Sequence, residues 1–277
     1  MAAAAETRRG LAGAARRAMA GLTGFVRLRT VADRPDLKIT FAPGESKEAV
    51  VVFNSIFAKA AGEGEAEFLG TASGGGARPV FFVTDPMRAW FQGADVADRI
   101  TDTLGDAFVA ERVAPKLTLG VSMGGYGAIV FAPRIGARIA LGLGAQWDVG
   151  PNAQETAWRE ERARIDKFRL GPAGDHIDGS VKVRVVHGAR DRWHSQQYAG
   201  HPGVRAWLKP KRGHNIARFL KEDGLLTPLV EAAYRGRGVS KVMQQFGAKR
   251  RRNPLTDPDA TLASPHPAHP RASETGD

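Results

Sequence analysis

At 277 residues, 43% hydrophobic and 25% charged, the chain is long enough for one globular domain with extensions, and its composition excludes wholesale disorder. It has no cysteine, which excludes a disulfide scaffold, a thiol nucleophile and a zinc-thiolate site. The net charge of +11 invites a nucleic-acid reading, but six arginines against Glu6 in residues 1–29 and seven basic residues without an acid in 235–252 carry it, which leaves the middle of the chain nearly neutral.

Residues 1–29 read as an Ala/Arg-rich extension, poorly ordered or loosely helical. Arg16 and Arg17 interrupt the apolar stretch that an export signal would need after Arg8-Arg9, so the expectation is an untargeted, cytoplasmic protein. No run approaches the roughly 18–20 apolar residues of a membrane-spanning helix. A globular domain is expected over 30–240. Within it, short apolar runs predict strands at Ile39–Ala42, Ala49–Asn54, Pro79–Thr84, Leu117–Ser122, Ile139–Leu143 and Val181–His187, with a weaker one at Val204–Leu208. Helical stretches alternate with them at Ala94–Ala110, Gly125–Ala132, Gln154–Phe168 and from Asn215 to about Tyr234. That alternation predicts an α/β fold with a mostly parallel central sheet flanked by helices, and in such sheets chemistry gathers at the carboxyl ends of the strands. Residues 146–180 read as a small helical, cap-like insertion. Residues 241–277 read as a basic, then Pro-rich, disordered tail. Its His266 and His269 lack the further ligands a metal site needs. The basic tails could touch anionic surfaces, while the neutral core argues against a nucleic-acid partner.

The most informative segment is Leu117-Thr-Leu-Gly120-Val-Ser122-Met123-Gly124-Gly125, a G-x-S-x-G pattern between an apolar strand and a helix-forming run. A sharp strand-to-helix turn needs small residues two before and two after the serine, and it lifts the serine oxygen above the sheet. It also aims the Met123 amide and the positive helix end at the same space, where an oxyanion would develop. A serine is a poor nucleophile unless a histidine takes its proton and a carboxylate orients the imidazole. Downstream, the strand Val183–His187 runs into Gly188-Ala-Arg-Asp191, and Gly213-His214-Asn215 forms a turn ahead of a helix. Ser122, Asp191 and His214 therefore follow the chain order of an elbow-type triad. Asp148, just beyond Trp147, is a rival acid. His187 reads as support for the turn, and His176, His194 and His201 as surface residues.

These three motifs resemble the alpha/beta-hydrolase superfamily over roughly residues 37–235. The resemblance implies an esterase-like triad of Ser122, Asp191 and His214. It also implies a second oxyanion amide from the loop after an early strand, where relatives commonly read His-Gly-x. This chain has Phe53-Asn54-Ser55-Ile56 there, so Ile56 or Ser55 would be the donor beside Met123. The run Phe82 to Phe91 is faintly similar to hydrolase-like proteins encoded with bacterial surface-polysaccharide genes. Trp90, Tyr126 and Trp147 are candidates for an apolar or sugar-stacking pocket wall. The expected activity is hydrolysis of a small-molecule or glycan ester, or of a thioester, with no cofactor or metal. The alternatives are an acyltransferase using the same triad, or a catalytically silent scaffold acting through its tails.

Overall fold

The computed structural model describes residues 28–56, 66–151, 153 and 157–251. Most of the N-terminal extension and all of the Pro-rich tail lie outside these residues. Nine strands form one mixed sheet: β1 (Arg29–Arg34), β2 (Leu37–Ala42), β3 (Glu48–Phe53), β4 (Val80–Thr84), β5 (Ala114–Val121), β6 (Ile139–Leu143), β7 (Lys182–Gly188), β8 (Val204–Lys209) and β9 (Lys249–Arg251). Their order across the sheet is β1-β2-β4-β3-β5-β6-β7-β8-β9. The six strands from β4 to β8 pair in parallel, whereas β1, β2 and β9 join antiparallel at the two edges.

The helices are α1 (Leu69–Ala72), α2 (Val96–Glu111), α3 (Met123–Arg134), α4 (Arg159–Ala163), α5 (Arg192–Gly200), α6 (Ile216–Glu222), α7 (Leu226–Tyr234) and α8 (Val239–Gln245). Strand side chains alternate between two cores, one on each face of the sheet. Ala49, Val51 and Phe53 of β3 pack with Phe81 and Val83 of β4 beneath α2 and α3. Val50, Val52, Val80 and Phe82 face the other way, toward α1, α6, α7 and α8. Both faces are covered, so the central strands are mostly apolar rather than alternating in polarity.

Two sequence expectations change. The long helix expected from Asn215 to Tyr234 is two helices, because Gly224 turns the chain at φ 68° between α6 and α7. The ordered domain does not end at residue 240: Val239, Val242, Met243 and Phe246 are buried in the core, and Lys249–Arg251 pairs with β8. A run of exposed cations reads as a solvated tail, yet backbone pairing at a sheet edge needs only the main chain, and outward charges protect such an edge from further pairing.

Candidate active site

β5 ends at Val121 and α3 begins at Met123, so Ser122 alone makes the turn between strand and helix. Its backbone sits at φ 55°, ψ −120°, a conformation that costs an L-residue about 1–3 kcal/mol. The surroundings hold it there. The Ser122 N–H donates to the Leu143 carbonyl at 3.0 Å, and the Ser122 carbonyl accepts from the Tyr126 N–H at 3.0 Å. A Cβ on Gly124 would lie 2.0 Å from the Phe53 carbonyl oxygen, and one on Gly120 would lie 2.1 Å from the Gly124 oxygen, so both positions admit glycine alone. Met123 opens α3, and amides in a first helical turn have no intrahelical acceptor.

The acid and the base arrive on two turns whose main chains touch. Asp191 caps α5 after β7, and His214 lies in the loop between β8 and α6. The Ala189 N–H donates to the Lys209 carbonyl at 2.9 Å and the Arg190 N–H to the Arg212 carbonyl at 2.8 Å. A side chain on Gly188 would strike the Gly213 carbonyl oxygen, 2.2 Å from its Cβ. His214 thereby places Nε2 2.8 Å from the Ser122 hydroxyl and Nδ1 3.1 Å from Asp191 Oδ2. When Nδ1–H donates to the carboxylate, Nε2 is the nitrogen left to accept the serine proton. Asp148 is not part of this chain of contacts; its Oδ1 accepts the Gly150 N–H at 2.8 Å in a local turn.

A second imidazole faces the same carboxylate. His187 is fully buried, with Nδ1 3.5 Å from Asp191 Oδ2. Burial pushes the Asp191 carboxyl up, but its contacts with His187 and His214 outweigh that and hold it well below the usual carboxylate range. Burial lowers His187, which favours its neutral form, and Asp191 offsets this in part. His194, expected at the surface, is buried, and its Nδ1 accepts the Trp147 N–H at 2.9 Å. The reason is that α5 turns His194, Ser195 and Tyr198 inward. His176 and His201 are half-buried, and His176 Nε2 bonds the Leu170 carbonyl at 2.6 Å.

The loop after β3 lies against the elbow, where the Phe53 carbonyl closes on Gly124. Ser55 and Ile56 are both buried. The Ser55 amide donates to Glu67 Oε2 at 2.8 Å and its hydroxyl donates to Glu67 Oε1 at 2.5 Å. Of the two expected oxyanion donors in this loop, the Ser55 amide is therefore already bonded to a carboxylate. Glu67 carries no signal in the sequence, because its partner is twelve residues away in no recognisable motif.

Two of the three aromatics expected in a pocket wall lie in the core instead, while Trp147 is half-buried. Trp90 and Tyr126 are fully buried in the core: Trp90 Nε1–H donates to Gln146 Oε1 at 2.6 Å, and the Tyr126 hydroxyl donates to the Gly171 carbonyl at 2.6 Å. Trp147 stacks edge-on against Tyr198, with ring centroids 5.0 Å apart. Bulky aromatics near a strand end serve here as core, as the buried area of their rings favours. Trp158 and Phe168 of the expected cap likewise pack against the core. The cavity that adjoins the triad segments has a volume of about 780 Å³ and lies on the other face, lined by Val121, Glu67, Phe68, Leu69, Ala217 and Leu226 among others. Val121 precedes the serine, Glu67 holds Ser55, and Ala217 lies in the first turn of the helix that follows His214.

A parallel sheet with antiparallel edges, a strained serine between strand and helix, and an acid and a histidine on the later strand ends define the alpha/beta-hydrolase fold. Solved structures agree. The chain superposes on Est2, a thermophilic esterase from Thermogutta terrifontis, with a TM-score of 0.53 at 16% identity, over 76% of this chain and 93% of that one. It superposes equally on FphF, a fluorophosphonate-binding serine hydrolase of Staphylococcus aureus, with a TM-score of 0.53 at 12% identity, over 75% and 97% of the two chains. At these identities the likeness shows the fold. No family model matches the sequence, and no curated protein matches it. Among the described residues, no helix is long and apolar enough to cross a membrane.

Proposed function

We propose that the protein is a serine hydrolase cleaving a small carboxylic ester or thioester through an acyl-enzyme. The observation that carries this reading is the contact of Ser122 Oγ with His214 Nε2 at 2.8 Å, on a serine held in a strained turn. Strain, a base within hydrogen-bond distance and an adjacent helix end at one residue support a reacting role.

Ser122 Oγ attacks the carbonyl carbon while His214 Nε2 takes the hydroxyl proton, and Asp191 stabilises the imidazolium without itself taking the proton. The amides of Met123 and Ile56 hold the oxyanion of the tetrahedral intermediate. Collapse breaks the bond to the alcohol or thiol, which leaves with the proton from His214. Water then gives a proton to His214 and attacks the acyl carbon, and a second collapse releases the acid and restores the Ser122 hydroxyl. The acidity of Asp191 suits this cycle, since it stays ionised while its partner charges. The cavity beside Val121 supplies apolar walls from Phe68, Leu69 and Leu226 for a short acyl chain or an apolar leaving group.

Turnover of p-nitrophenyl acetate and butyrate, with a burst of nitrophenol equal to the enzyme concentration, is the expected outcome. Hydrolysis of neither ester by folded protein, together with no burst, contradicts the reading.

A further inference from the structure

We propose that Glu67 is a positioning residue that fixes the oxyanion loop at residues 54–56 by clamping Ser55 with both carboxylate oxygens. The inference rests on the serine-hydrolase reading and adds to it the group that sets the second oxyanion donor.

In a loop, one backbone amide can face a developing oxyanion only if the peptide before it is held in a fixed orientation. Here that peptide belongs to Ser55. Its N–H meets Glu67 Oε2 at 2.8 Å and its hydroxyl meets Oε1 at 2.5 Å, so one side chain restrains both the main chain and the side chain of a single residue. Ser55 and Ile56 are buried, and the preceding carbonyls of Phe53 and Asn54 press on Gly124 of the elbow. The loop is therefore fixed on one side by the elbow and on the other by Glu67. Charge-assisted bonds of this kind are about twice as strong as neutral ones.

The arrangement also answers an electrostatic problem. A carboxylate near a forming oxyanion would oppose catalysis if its charge were free to project into the site. Both Glu67 oxygens are committed to Ser55, so the donors on Ser55 absorb that charge. Burial raises the Glu67 carboxyl, and the two bonds from Ser55 pull it back in part. The carboxylate also lines the cavity beside Val121.

The test is steady-state kinetics on p-nitrophenyl acetate for wild type, Glu67→Gln, Glu67→Ala and Ser55→Ala, with fluorophosphonate labelling of wild type as the first step. Removing an oxyanion donor outright costs about 100- to 1000-fold in kcat, so loss of its support should cost less. The expected falls in kcat are about 100-fold for Glu67→Ala and roughly tenfold for Glu67→Gln, whose amide still accepts one bond. Ser55→Ala keeps the N–H and loses only the hydroxyl bond, so it should fall about threefold. KM should stay within about twofold throughout, because the interaction belongs to the transition state. A merely structural Glu67 would instead lower Tm and raise KM while the labelled fraction kept its kcat, and that result overturns the inference. Should Glu67→Ala fail to fold, wild-type kcat in both Glu67→Gln and Ser55→Ala overturns it equally. Failure of the serine-hydrolase reading is distinguishable: wild type itself would then neither label nor turn over.

Discussion

The elbow at Ser122 and the loop at Ser55 lie side by side, yet they are held by different means. The elbow is fixed by main chain against main chain: Gly120 and Gly124 permit contacts that any side chain would abolish, and the Ser122 amide is spent on Leu143. The loop leaves β3 with the Asn54 N–H bonded to the Val83 carbonyl at 2.9 Å, but beyond the elbow contact its outer side is held by a side chain, Glu67, reaching back from twelve residues downstream. Geometry that depends on backbone contact tolerates almost no substitution and leaves a motif. Geometry that depends on a distant side chain tolerates any solution that supplies two acceptors, and it leaves none.

The largest effect should come from breaking the backbone-held side. In Gly124→Ala the new methyl would lie 2.0 Å from the Phe53 carbonyl, so the elbow and the loop must separate. Esterase activity should fall by at least about 1000-fold, with a destabilisation of about 3 kcal/mol in denaturant titration. Substantial retained activity would mean that the elbow is softer than its contacts. Next is Glu67→Ala, with the fall in kcat given above and little change in Tm, which would separate a positioning contact from a packing one.

A smaller effect sharpens the comparison at a second carboxylate-held loop. Asp85, at the end of β4, accepts the Met87, Ala89 and Phe91 amides at 2.8–2.9 Å, and the loop it gathers includes Arg88, Trp90 and Phe91 at positive φ. Burial raises Asp85 and these bonds lower it in part, so the charge is tolerated rather than favoured. Asp85→Asn loses at least one acceptor and should cost about 2 kcal/mol in thermal unfolding, with kcat less affected than in Glu67→Ala. A larger loss of kcat than of stability would place Asp85 in the site instead.

The smallest effect is a pH dependence. His187 is held below its ordinary value of 6.5, so the native state binds fewer protons there than the unfolded chain does. Its contribution to stability is therefore lost as pH falls through 6.5 toward the native value. The loss of unfolding free energy between pH 7.5 and 5.5 should be smaller in His187→Gln than in wild type, by at most about 1.4 kcal/mol. Parallel slopes would show that this imidazole does not titrate on unfolding.

These contrasts also explain what was legible in the sequence. Strands β3 to β7 were legible because both their faces are largely buried, which makes them mostly apolar runs between turn residues, while β8, with Arg205 and Lys209, gives a weaker signal. Ser122 and Asp191 were legible because glycines that close main-chain approach demands, Gly120, Gly124 and Gly188, lie within three residues of them, whereas His214 was legible only from chain order and its place in a turn ahead of a helix. The edge strands were not: β1 is half-exposed and polar, and β9 is Lys-Arg-Arg, so their pairing rests on backbone alone. Glu67 was missed for want of any local pattern. Residue type and a nearby strand end do not say which way a ring points, so the sequence of Trp90 and Tyr126 fits a pocket wall as well as the core they occupy.

Labelling with a fluorophosphonate probe, wild type beside Ser122→Ala and His214→Ala, tests the central claim most directly. The account predicts a labelled wild type, no labelling in Ser122→Ala and a rate reduced by at least about 1000-fold in His214→Ala. Labelling that survives in Ser122→Ala, or a folded wild type that never labels, would contradict it.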